Sequence, residues 1–140
     1  MKKFKKAIGF GSINPLHYGH IKLIQKAKEI SEIVIIGLDT DEFLTDYKKK
    51  ILYQSFNERY NLLKEIKSVD MIVEQSEIKN KMYWIKQLNC DMLFVGDDHK
   101  NTNWEGEQIA KLCEIPVVYF PHTKEIHSQD IIELAKGKLK

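Results

Sequence analysis

The segment Gly11-Ser12-Ile13-Asn14-Pro15-Leu16-His17-Tyr18-Gly19-His20 decides how this chain folds and what it handles. An apolar stretch containing Ala7, Ile8 and Phe10 runs into it, and Ile21, Leu23, Ile24, Ala27 and Ile30 follow at the spacing of an amphipathic helix. A strand that passes through a tight turn into a helix aims free backbone N–H groups and the positive end of the helix dipole at one spot, which suits a phosphate. Two imidazoles three residues apart on the first helical turn share a face there. Both can then donate to the charge that builds on a phosphate during transfer. Such a pair would also serve as part of a metal site. Zinc, however, takes three or four ligands, and no Cys or carboxylate stands at a matching spacing nearby. Packing alone is a poor account of His-Tyr-Gly-His placed directly after Asn-Pro.

Outward from this turn, short apolar runs alternate with longer helical patterns, the rhythm of βαβ units. Strands are predicted near Phe4 to Phe10, Ile33 to Leu38, Met71 to Glu74, Met92 to Val95 and Val117 to Phe120. Each is nearly continuous in apolar residues, as a parallel sheet covered on both faces requires. Between them lie helices whose buried stripes read Ile21 to Ile30, then Tyr60, Leu62, Leu63 and Ile66. Met82, Trp84, Ile85 and Leu88 mark the next helix, and Ile109, Ala110, Leu112 and Cys113 the one after. Ser128 is placed to cap a last helix carrying Ile131, Ile132, Leu134 and Ala135. The expectation is α/β: a single Rossmann-like domain over residues 1–140, with a five-stranded parallel sheet and helices on both faces.

Composition agrees. The chain has 140 residues, 43% of them hydrophobic, which suffices for one core and leaves no run long enough to cross a membrane. A net charge of +2 gives no general sign of nucleic-acid binding, and no basic stripe interleaved with aromatics supports base stacking. Lys2, Lys3, Lys5 and Lys6 read as a solvated terminus rather than a secretory leader, because no apolar core or small-residue cleavage site follows them. Cys90 and Cys113 sit in apolar surroundings and make no disulfide framework, so they read as core thiols of a soluble, cytoplasmic chain.

In open parallel sheets, ligands sit beyond the carboxyl ends of the strands where strand order reverses. The chemically unusual residues follow strand ends: Ser12 to His20, Asp39 to Lys50, Gly96 to His99 and His122 to Ser128. Lys48, Lys49 and Lys50 form either a solvated charge run or a basic loop that neutralises a triphosphate opposite the two histidines. Gly96 would let a base approach the backbone, with Asp97 accepting from a ribose hydroxyl or an amino group; the alternative is a plain turn.

At this point the sequence resembles the small bacterial cytidylyltransferases within the HxGH nucleotidyltransferase superfamily, over nearly its whole length. Residues 11–20 are similar to the family's G-T-F-D-x-L-H-x-G-H, and Thr40-Asp41-Glu42-Phe43 to its T-D-E-F. Lys48 to Lys50, Asn57-Glu58-Arg59, Ser68-Val69-Asp70 and Gly96-Asp97-Asp98 fall in the family's order. The resemblance implies catalytic roles for His17, His20 and Lys49, and a nucleotide site made by Gly11, Ser12, Ile13, Gly19, Gly96, Asp97, Thr123, His127 and Ser128. It assigns Lys49, Arg59, Lys67 and His122 to the acceptor; the bland alternative for Arg59 is a surface helix residue.

Departures accompany these matches. His99 to Asn103 interrupt the family's G-D-D-W-x-G, and Lys67 stands where an arginine grips phosphate in bidentate fashion. The family's R-T-E-G-I-S-T-T becomes His122-Thr123-Lys124-Glu125-Ile126-His127-Ser128-Gln129.

The implied activity is cytidylyl transfer from CTP to a small phosphorylated alcohol, resembling glycerol 3-phosphate, with release of pyrophosphate. Mg²⁺ would accompany the triphosphate, and the resemblance implies a homodimer. An adenylyltransferase of the same fold using ATP and a non-catalytic nucleotide-binding homologue are the alternatives. The intact His17 and His20 pair favours an enzyme.

Overall fold

The computed structural model describes residues 2–121 together with 132, 133, 135 and 136. Its elements follow in the order β1 (Phe4–Gly11), α1 (Tyr18–Ile30), β2 (Ser31–Asp39), a π-helical turn (Phe43–Tyr47), α2 (Phe56–Leu63) and β3 (Met71–Gln75). Then come α3 (Asn80–Gln87), β4 (Met92–Gly96), a 3₁₀ turn (Asp97–His99), α4 (Glu105–Leu112) and β5 (Val117–Phe120). All five strands are parallel and lie in the order β3-β2-β1-β4-β5. The five strands expected from apolar runs are therefore present, within two residues at each end.

The two faces of the sheet carry separate apolar clusters. Ala7, Val34, Ile36, Met92 and Phe94 pack with Ile24 and Ala27 of α1 and Leu63 of α2 on one side. Ile8, Ile35 and Leu93 meet Ile85 of α3 and Ala110 of α4 on the other. Successive strand residues point to opposite faces, so a strand covered on both sides must be apolar throughout. Each fully buried aliphatic side chain contributes about 1.5–3 kcal/mol. Cys90 belongs to the second cluster, and burial pushes its thiol up to about 11, which leaves it unreactive.

Helix α2 departs from its expected stripe. Tyr60 and Leu62 are exposed, while Arg59 and Leu63 face inward. The inward face includes Phe56, Arg59 and Leu63, a helical spacing that counting apolar residues alone misses because its centre is a charged residue. Ile66 still packs on the core, from the turn beyond the helix end. The helix expected behind Ser128 lies largely outside the described residues.

Strand order reverses between β1 and β4. The chain runs from β1 outward through β2 to β3, then returns to β4 on the other side of β1. The carboxyl ends of β1 and β4 therefore flank a crevice. Two glycines keep aromatic rings close to the sheet around it: a Cβ on Gly9 would stand 2.6 Å from the Phe94 ring, and one on Gly37 would overlap the Phe10 ring.

Candidate active site

A cleft of about 250 Å³ opens at that crevice, lined by Phe10, Gly11, Ser12, Ile13, His17, Gly19 and His20 from β1, the turn and α1. Phe94, Val95, Gly96, Asp98, His99 and Phe120 close it from the β4 and β5 side. Above Gly11 the space is open, since a Cβ there would meet only Ile13 Cγ1, at 4.0 Å. A ligand can thus rest on the Gly11 backbone. Ile13 turns the chain with a φ of 50°. A β-branched residue in that left-handed conformation costs about 1–3 kcal/mol, and it stays there because its side chain is buried.

His17 precedes the first turn of α1 rather than belonging to it, and caps the helix from an extended backbone. Its Nδ1 accepts from the Gly19 N–H at 2.9 Å, and His20 Nδ1 accepts from the His17 N–H at 3.2 Å. The two rings stack with centroids 3.9 Å apart. A neutral imidazole whose Nδ1 accepts carries its proton on Nε2. Both rings therefore present the Nε2 side as a donor, held at the N-terminus of a 13-residue helix. Such a pair, with the adjoining turn, can bind phosphate and stabilise negative charge that develops on it.

Beneath the turn lies a connected set of polar groups. The Arg59 guanidinium is fully buried: Nη1 donates to the carbonyls of Ser12 and Asp39 at 2.8 and 2.7 Å, Nε to Gln54 O, and Nη2 to Asp41 Oδ1. Asn14 holds the segment after the lysines, donating to Ile51 O and accepting from the N–H groups of Tyr53 and Gln54. Lys48 pairs with Asp39 at 2.6 Å. Lys81, buried on α3, donates to Gln75 Oε1 at 2.7 Å, and burial pulls its ammonium below the ordinary lysine range.

On the far side, the Trp104 indole N–H donates to Tyr119 Oη at 3.1 Å, and the His99 ring lies 4.9 Å from Trp104. The interrupting residues 99–103 thus turn on Asn101 and Asn103, both at positive φ, and bring His99 to the cleft.

The cytidylyltransferase-like family model matches residues 8–134, which takes in β1 from Ile8 onward, the other four strands and the whole two-histidine turn. The chain belongs to the cytidylyltransferase-like family. It is 34% identical over 133 residues to the glycerol-3-phosphate cytidylyltransferase of Bacillus subtilis, covering 95% of this chain and 98% of that protein. With the Staphylococcus aureus protein of the same name the identity is 31% over 134 residues, 96% of this chain and 97% of the relative. Among solved structures, a lipopolysaccharide core biosynthesis protein from Thermoplasma volcanium superposes with a TM-score of 0.69 at 22% identity, covering 88% of this chain and 99% of the other. A pantoate-β-alanine ligase from Francisella tularensis does so at 0.61 and 16% identity, over 97% and 70% of the two chains. These two likenesses concern the fold.

Within this cytidylyltransferase-like frame, Gly11, Ser12, Ile13, His17, Gly19, His20 and Gly96 all line the cleft as expected from the sequence. Four expected residues do not. Asp97 is not among the cleft-lining residues; both it and its neighbour Asp98 are exposed, and Asp98, one step on in the 3₁₀ turn, is the carboxylate at the cleft. Lys49 is exposed at φ 57° and outside the lining, whereas Lys48 is anchored. Arg59 is neither a surface residue nor an acceptor ligand: it is buried under the turn with four of its five N–H groups committed to protein oxygens. Lys67 precedes β3 and so lies at the amino end of the parallel sheet, opposite the cleft. His122, Thr123, His127 and Ser128 lie outside the described residues. The sequence places Asp39 only at the start of a loop and gives no sign of its buried partners, since Gln75 reads as a polar residue closing β3 and Lys81 as a lysine in an ordinary amphipathic helix.

Proposed function

We propose that this protein transfers a cytidylyl group from CTP to a small phosphorylated alcohol, of the glycerol 3-phosphate kind, and releases pyrophosphate. The observation that carries the reading is the stacked His17 and His20 pair, both Nδ1 atoms taken by backbone N–H groups, at a helix N-terminus beside a glycine-floored cleft. The likeness to glycerol-3-phosphate cytidylyltransferases over nearly the whole length supports the choice of base and acceptor class.

An oxygen of the acceptor phosphate attacks the α-phosphorus in line. A new P–O bond forms, the bond to the β-phosphate oxygen breaks, and its electron pair leaves with pyrophosphate. The two Nε2–H donors stabilise the charge that accumulates on the α-phosphoryl oxygens, and the α1 dipole adds to them. The turn backbone and Gly11 hold the phosphates at the spacing in which attack is near. Lys48 offsets charge on the outer phosphates. No covalent enzyme intermediate is required.

Magnesium fits as a companion of the triphosphate. Mg²⁺ is bound in such sites chiefly through phosphate oxygens and water, with one or two carboxylates from the protein. Asp98 is the carboxylate in the cleft that would meet it, and the ion would neutralise phosphate charge there. No described helix is long and apolar enough to cross a membrane. A homodimer, implied by the resemblance, completes the reading.

The test is a screen for pyrophosphate release with CTP, ATP, GTP and UTP against phosphorylated alcohols. CTP with a three-carbon polyol phosphate should give the highest kcat/KM. Preference for ATP across all acceptors would replace the base assignment, and no pyrophosphate from any pair would leave a nucleotide-binding protein.

A further inference from the structure

A carboxylate removed from water is costly unless cations and donors close in on it. Asp39, the last residue of β2, is such a group, and its side chain is fully buried. One oxygen accepts from the Gln75 amide, and the other accepts from both the Ser12 hydroxyl at 2.7 Å and the Lys48 ammonium at 2.6 Å. Gln75 is fixed in turn by the buried Lys81, with Glu105 3.4 Å beyond it. The Asp39 carboxylate thus cannot turn away from Lys48 without breaking a bonded chain that reaches α3.

Lys48 is held from other directions too. Its ammonium lies 5.4 Å from the centre of the buried Phe43 ring, and its N–H closes the π-helical turn on Phe43 O at 3.0 Å. Sharing one carboxylate oxygen places this ammonium next to the Ser12 hydroxyl at the edge of the cleft. Lys49 and Lys50, by contrast, are exposed. A flexible lysine contributes little to a transition state unless it is already in place.

We propose that Asp39 is a positioning residue: its buried carboxylate tethers Lys48 beside the phosphate turn, so that Lys48, and not Lys49 or Lys50, is the cation of this loop that meets the triphosphate. The catalytic half of this statement rests on the cytidylyl-transfer reading above, and the tether itself does not.

Two measurements separate these halves. The tether is read with an amine-acylating reagent and peptide mass spectrometry on the full chain. In the wild type, Lys48 should be labelled about tenfold more slowly than Lys49 and Lys50, and Asp39→Asn should bring it to their rate; a tenfold protection corresponds to about 1.4 kcal/mol. Equal labelling of the three lysines in the wild type overturns the tether even if Asp39→Asn does not fold. The role in catalysis is read by a double-mutant cycle on CTP turnover. Asp39→Asn and Lys48→Met should each lower kcat/KM by about tenfold or more, the double variant should be no worse than Lys48→Met, and Lys48→Arg should recover part of the loss. Losses that multiply, or an Asp39→Asn enzyme with unchanged kcat/KM, overturn the positioning role. A wild type without CTP turnover sinks the functional reading alone, because the labelling rates still decide the tether.

Discussion

Replacing His20 separates two things that one ring does. Its Nδ1 accepts the His17 N–H at 3.2 Å, and its Nε2 side is a donor toward the cleft. His20→Ala removes both. Losing the acceptor strands a backbone N–H at the start of α1, which costs about 1 kcal/mol, or roughly 3 °C in Tm for a chain of this size. Losing a donor aimed at transition-state charge costs about 2.7–4 kcal/mol, or roughly 100- to 1000-fold in kcat. His20→Gln restores a side chain that can reach back three residues to the N–H of His17 at the N-cap, as in a capping box, but not the ring donor. The expected pattern is therefore a Tm loss in Ala that Gln recovers, beside a kcat loss that Gln does not. The assay is thermal unfolding alongside steady-state pyrophosphate release, with CTP affinity measured by calorimetry. CTP affinity should change by only a few-fold, since these donors act mainly in the transition state. If His20→Ala kept turnover within about tenfold of wild type, or lost CTP affinity as steeply as rate, the ring would be a cap and a ground-state ligand, and the reasoning would fail.

Arg59→Met should destabilise the fold by about 3 kcal/mol or more, because it leaves buried carbonyls and Asp41 without their partner; urea unfolding measures this, and a variant of normal stability with only a raised acceptor KM would restore Arg59 to the acceptor site. Asp70 gives a pH signature: burial raises its carboxyl, but the Lys28 ammonium and the Val34 N–H outweigh this and hold it below its ordinary 3.8. A carboxyl depressed on folding stabilises above its unfolded value and loses that contribution as pH falls through the folded one. Asp70→Asn should therefore be less stable than wild type near pH 7, and the difference should shrink as pH falls below 3.8; a constant difference across urea melts would contradict this. Gly9→Ala should cost about 1–3 kcal/mol by overpacking against Phe94, read in the same melts, and an unchanged midpoint would mean the ring moves freely.

The sheet was legible because each strand has a nearly continuous apolar run rather than an alternating one, as a doubly covered parallel strand needs. The phosphate turn was legible for a similar reason: its neighbours in sequence are its neighbours in space. What stayed hidden is carried by contacts distant along the chain. Asp39 meets Ser12, Lys48 and Gln75, so a carboxylate that sequence places at a strand end becomes the centre of a buried network. Arg59 looks like any helix arginine until its partners at Ser12 and Asp39 are known. Which of Asp97 and Asp98 borders the cleft, and which of Lys48 and Lys49 is anchored to Asp39, turns on one residue in a turn, and spacing alone does not say. Lys67 was carried from a resemblance, and the connection from α2 to β3 places it at the other end of the sheet.

The most direct test of the central claim follows the α-phosphorus itself. CTP labelled with ³²P at the α position, and separately at the γ position, is incubated with enzyme, Mg²⁺ and glycerol 3-phosphate. The account predicts α-label in a cytidine diphosphate-alcohol and γ-label in pyrophosphate, in equal amounts, with both products falling roughly 100-fold or more in His17→Ala and in His20→Ala. Release of γ-label as inorganic phosphate, or α-label that stays in CTP while every acceptor in the panel is present, would contradict it.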